Sequence, residues 1–76
     1  MTPKQCTAAR QVISLSLVAL AKAAGLRRMA VERFETGENV SVEIADQLKH
    51  TLEAGGVEFV DGSGDEPGVR LRNVRL

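Results

Sequence analysis

The sequence predicts a mainly α domain of four to five short helices with a C-terminal β-hairpin. Three observations carry this. Leu20, Ala21 and Ala24 form an apolar stripe at helical spacing; Gly25 interrupts it, and a second stripe of Ala30, Val31 and Phe34 follows. Glycine ends helices because it enters the left-handed backbone region without a Cβ clash. Thr2-Pro3 and Ser41 stand ahead of two further apolar stripes, with the chemistry of helix N-termini. After Gly55-Gly56 the apolar period changes from helical to two, which is the signature of strands.

The first helix starts at Thr2. Threonine is an N-cap, Pro3 fits the first helical position, and Gln5 at the third reaches back to complete a capping box. Cys6, Ala9 and Ile13 make its core stripe, so it should run to about Ser14. Ser14 or Ser16 separates it from a second helix, about Leu17 to Ala24, which is apolar on nearly every face and carries Lys22 as its only charge. Such a helix is buried or faces a partner. Gly25 turns the chain, Leu26 can drop into the angle, and a third helix covers about residues 27–36 before Gly37 stops it. Two short helices joined by a tight glycine-containing turn form a helix-turn-helix. Thr36 to Asn39 is a polar loop. Ser41 caps a fourth helix that reaches about Ala54; Ile44, Leu48 and Leu52 form its stripe, and Val42 and Ala45 widen it. Val57 to Val60 reads as a strand. Asp61 to Gly68 has turn chemistry. Val69, Leu71 and Val74 then alternate with Arg70, Arg72 and Arg75 as a second strand. A lone two-stranded hairpin is marginal and needs helix cover or another chain's strands. Residues 1–56 are thus a helix-turn-helix unit, and residues 57–76 are a hairpin and dimerisation tail of the same domain.

At 76 residues the chain makes one domain with a modest core. Self-association is a common remedy at this size. There is no Trp or Tyr, so Ala, Leu and Val must fill the interior. Ten basic and ten acidic residues give zero net charge, which by itself offers nothing to nucleic acid. The distribution says more: residues 27–33 hold Arg27, Arg28 and Arg33 against Glu32 alone, a local excess of the kind that phosphate binding uses. The single cysteine cannot form an intramolecular disulfide and fits a reducing cytoplasm. Cys6 lacks a nearby His or second Cys, so it reads as a small buried hydrophobe. His50 has no second ligand type at ligand spacing, so no metal and no cofactor is expected. No catalytic constellation is visible, and Gly62-Ser63-Gly64 lacks the Lys and helix of a phosphate loop, so the chain is not expected to be an enzyme. No long apolar run or signal-peptide pattern occurs, which points to a cytoplasmic protein without a membrane segment.

Leu-Ala-x-x-Ala-Gly-Leu at residues 20–26, followed by Val-x-x-Phe-Glu-x-Gly at residues 31–37, resembles the phage-repressor/Cro type of helix-turn-helix domain, the XRE family. The tail segments GVEF at residues 56–59 and GVRLR at residues 68–72 resemble those of small bacterial XRE-type regulators. The resemblance implies a repressor-type helical bundle that binds double-stranded DNA as a homodimer, with the third helix in the major groove. It implies that Arg10, beside the first helix's stripe, pairs with Glu35 and ties the first helix to the third. The alternative is two solvated charges. It places the N-cap of the second helix at Ser16, whose hydroxyl would reach a phosphate, with Arg27 as a second phosphate ligand. Arg28 would make a bidentate contact to guanine O6 and N7, Met29 would touch a thymine methyl, Glu32 would accept from cytosine N4, and Arg33 would reach a base or phosphate. For each of these the alternative is plain solvent exposure. Phe34 would close the core. The chain departs from the family at Leu17, Val18 and Ala19, where polar and acidic residues are usual, and at Arg27, where Ser or Thr is usual. Leu17 and Val18 suit a second reading, a helix-turn-helix-shaped protein-interaction module, such as an antiactivator, that has lost DNA binding, whereas a cation at the Arg27 cap position suits a phosphate and so the first.

Overall fold

The computed structural model describes residues 1–60 and 68–71. Among them are four helices, α1 (Pro3–Val12), α2 (Leu17–Ala24), α3 (Arg28–Glu35) and α4 (Val42–Ala54), and two strands, β1 (Val57–Val60) and β2 (Gly68–Leu71). The strands pair antiparallel, Val57 opposite Leu71 and Val60 opposite Gly68. The mainly α bundle with a C-terminal hairpin is therefore the observed fold. The expected turn at residues 61–67 and the alternation at Arg72, Val74 and Arg75 lie outside the described residues.

Side-chain caps start three of the helices. Thr2 accepts from the Gln5 amide at 3.1 Å while Gln5 Oε1 accepts from the Thr2 amide at 2.8 Å, so the capping box is complete. Ser16 Oγ accepts from the Ala19 amide at 3.0 Å, and Ser41 Oγ from the Ile44 amide at 3.2 Å. These oxygens satisfy amides that the helix itself leaves without partners.

Three consecutive helices end in the same way. After α2, Gly25 takes a positive φ of 70°; its amide donates to Lys22 O and the Leu26 amide to Ala21 O. After α3, Gly37 at φ 91° donates to Phe34 O and Glu38 to Arg33 O. This paired bonding is a Schellman motif. After α1 the left-handed position is held by Ser14, at φ 59°, with Ser14 donating to Gln11 O and Leu15 to Arg10 O. Helix α1 thus stops at Val12, two residues short of the sequence expectation. Serine has no special freedom at positive φ, so nothing in its identity announces the stop.

Leu20, Val31, Leu48, Leu52, Val57 and Cys6 are fully buried, and Ala9, Ala21, Ala24 and Phe34 complete the core. Every helix and β1 contributes. The stripe of α4 is as expected at Ile44, Ala45, Leu48 and Leu52, but Val42 does not belong to it: it is 75% exposed. Two positions before Ile44 is about 200° around a helix, so Val42 faces away from the core. Helix α2 is not buried all round either; Val18 is 51% exposed. On the hairpin, Val57 is buried, Val69 and Phe59 pack against the core, and Leu71 is 49% exposed. Arg70 and Glu58 pair across the opposite face at 2.7 Å. No single helix among the described residues is long and apolar enough to cross a membrane.

Candidate nucleic-acid interface

Helix α3 is held from both sides. Arg10 on α1 grips Glu35 at its end, Nε donating to Oε2 at 2.9 Å and Nη2 to Oε1 at 3.0 Å, while Nη1 donates to the Leu15 carbonyl at 3.0 Å. The two side chains are only 16% and 9% exposed, so these are not two solvated charges. A bidentate guanidinium–carboxylate pair with little water access is directional and fixes the angle between α1 and α3. The hydrogen bond to Glu35 is the main reason the Arg10 guanidinium is held still more firmly in its charged form. Cys6 lies beneath this pair and donates Sγ–H to Glu35 Oε2 at 3.6 Å. Burial above all, then the neighbouring Glu35 charge, pushes the Cys6 thiol up to about 12. It is a protonated, inert side chain, the opposite of a nucleophile.

The turn that leads into α3 is anchored from α4: Gln47 Nε2 donates to the carbonyl of Ala24, the last residue of α2, at 3.0 Å. That contact, like the Leu15 carbonyl on Arg10, was not legible beforehand, because a backbone carbonyl acceptor carries no residue identity.

Val31 and Phe34 face the core, and Arg28, Met29, Glu32 and Arg33 are all exposed. An α-helix advances about 100° per residue, so Met29, Glu32 and Arg33 lie on the side opposite the core. Arg28 stands at the edge of that face, on the same flank as Glu35. Arg27 occupies the N-cap position and makes no side-chain capping bond, unlike Thr2, Ser16 and Ser41. None of Arg27, Arg28 and Arg33 has an ion-pair partner among the described residues, whereas Arg10 and Arg70 both do. Three unneutralised guanidinium groups therefore gather on one short helix and its cap. Ser16 is exposed too, at the far end of α2, about 12 Å of helix from that turn. Its oxygen is committed to the Ala19 amide, which leaves its O–H to donate outward.

Between the turn and α4 runs an open groove of about 340 Å³, lined by Gly25, Leu26, Arg27, Met29, Ala30, Arg33 and Ile44. Sequence patterning put Leu26 and Ile44 in the core; both also floor this groove. No group of three or more His, Cys, Asp or Glu placed to hold a metal occurs among the described residues. Compared with models of protein families and with curated proteins, the chain matches none.

Proposed function

We propose that this chain is a sequence-specific DNA-binding transcriptional regulator of the repressor helix-turn-helix type, acting as a homodimer and reading the major groove with α3. The observation that carries the reading is the set of guanidinium groups at Arg27, Arg28 and Arg33, without ion-pair partners among the described residues, on and beside an exposed helix that Arg10–Glu35 ties to α1 and whose preceding turn is held by Gln47. Base reading needs cations free to meet phosphate and guanine, on an element held rigidly by its support. The uncapped α3 N-terminus adds amides suited to a phosphate oxygen. In this reading Arg27 and Ser16 take phosphates, Arg28, Met29 and Glu32 face base edges, and Arg33 reaches a base or phosphate.

The second reading, a protein-interaction module that has lost DNA binding, is favoured by the exposed Val18 beside half-buried Leu17 at the start of α2. A gel-shift titration with the DNA upstream of the chain's own reading frame separates the two. A retarded band that resists excess random duplex and weakens with salt supports the regulator. Failure to outcompete random duplex favours the interaction module.

A further inference from the structure

Two apolar features lie open on the described surface, and each is framed by charge of the sign opposite to the other's. The first is the groove beside α3. Leu26, Ala30 and Ile44 floor it, Met29 forms one wall at 58% exposure, and Arg27 and Arg33 stand at its rim. The second is Val42, the first residue of α4, at 75% exposure. Glu43 is next to it and Asp46 stands one turn on, both exposed. At about 100° per residue these three share roughly 100° of helix surface, on the side away from the buried Leu48 and Leu52. Lys49, the cation nearest to them on α4, lies about 10 Å of helix beyond Val42. None of Arg27, Arg33, Glu43 and Asp46 has an ion-pair partner among the described residues. Glu43 also suits the dipole of its own helix. Val42 has no such reason: a β-branched side chain loses rotamer freedom in a helix, and here it buries little in return.

Val42 and Ile44 are about 200° apart around α4, so the valine points away from the groove of its own chain. A second copy brings it to the groove from outside. We propose that α4 of one copy seats Val42 in the α3 groove of the next copy, with Glu43 and Asp46 meeting Arg27 and Arg33. A groove of about 340 Å³ has room for a valine side chain, which meets carbon and sulfur on floor and wall. Methionine moulds itself to such a guest. The patch given and the patch received differ and point in different directions. The contact is therefore heterologous: two copies do not close it, and it runs on from copy to copy. It is distinct from any pairing of hairpins. One helix end in one groove is a small contact of the weak, transient class, and salt weakens it further. It covers the cations that the DNA reading assigns to phosphate and bases. On that reading, self-association and DNA binding exclude one another, and a DNA-free copy shields its reading face in its neighbour. The contact itself does not depend on that reading.

The test is sedimentation of the full chain without DNA, in low salt, up to millimolar concentration. The average mass should keep climbing past that of a dimer, and added salt should reverse the climb. Val42→Ser changes no charge and should weaken the association about tenfold, with wild-type circular dichroism. Glu43→Arg with Asp46→Arg, and separately Arg27→Glu with Arg33→Glu, set like charges face to face. Each of these variants should fail to associate alone, and the two should associate when mixed in equal amounts. A mass that never exceeds a dimer would overturn the contact. So would association that ignores Val42→Ser, or a mixture no heavier than its separate components. A duplex selected by the chain from a random-sequence pool then addresses the shared cations. Saturation with it should stop the growth in mass, and growth that persists would overturn the exclusion. Failure to enrich any sequence would sink the DNA reading and leave the contact standing on the DNA-free masses.

Discussion

Arg28 and Cys6 show how differently two side chains of one small domain are used. Arg28 is exposed, has no ion pair among the described residues, and sits at the edge of the outward face of α3. If it reads guanine, Arg28→Ala weakens specific binding by about 1–3 kcal/mol, the worth of a bidentate base contact, with little change in melting temperature. Equal affinity of variant and wild type for the selected duplex would remove it from the reading set. Cys6 is the reverse case, fully buried against Glu35. Its thiol moves from an ordinary 9.0 to about 12 in the folded chain. The unfolded chain therefore releases this proton first as pH rises. The contribution is intact below pH 9 and drains away as pH climbs from 9 toward 12. The chain has no tyrosine to titrate over the same range. Urea midpoints at pH 8 and pH 10.5 should fall more steeply for the wild type than for Cys6→Ala. Parallel slopes would show that the thiol titrates alike in both states.

At the level of single elements, what could be read from the chain depends on whether a residue's chemistry betrays its conformation. Gly25 and Gly37 announced two helix ends because glycine is the usual occupant of the left-handed position. Thr2 and Ser41 announced two beginnings for a matching reason, while the choice of Ser16 over Ser14 came from the family resemblance. Ser14 holds the same left-handed position after α1 and gave no signal, so the helix was expected to reach it. Val42 misled in the other direction: it is apolar and near the stripe of α4, but angularly on the far side. The Arg10–Glu35 pair follows from the family resemblance and the buried Phe34 from its place in the apolar stripe of α3, and both are present. The groove was not, because it is made by α4 and the turn together and no local pattern encodes it. A left-handed serine carries strain of about 1–2 kcal/mol, only part of which glycine's extra unfolded-state freedom offsets. Ser14→Gly should therefore raise stability by roughly 0.5–1 kcal/mol, measured by urea denaturation. A variant no more stable than wild type would mean that the serine side chain contributes something the backbone bonds do not.

On the scale of the whole molecule, the hairpin serves both as core and as candidate interface. Val57 is fully buried, so cutting the chain after Gly56 would remove core together with strands. A point substitution separates the two roles. Leu71, 49% exposed at the end of β2, is the apolar residue that a second copy would cover if the strands pair across a two-fold axis. Leu71→Lys should then sediment as a monomer with an unchanged helical signal, while Leu17→Gln combined with Val18→Glu stays dimeric. The opposite pattern moves the interface to α2, and a wild type that is monomeric at high micromolar concentration removes both. Gln5 adds a consequence in time rather than in space. Its Oε1 closes the capping box three residues away, but its Nε2 donates to the carbonyls of Val60 and Gly68, 55 and 63 residues on. One side chain is therefore committed to partners made early and late relative to one another. A growing chain can cap its first helix almost as soon as that helix leaves the ribosome. The clasp onto the hairpin has to wait for Gly68 to clear the exit tunnel. Until then the apolar face of α1 lacks the cover of β2, and the helices made before it wait for the strand that completes their core.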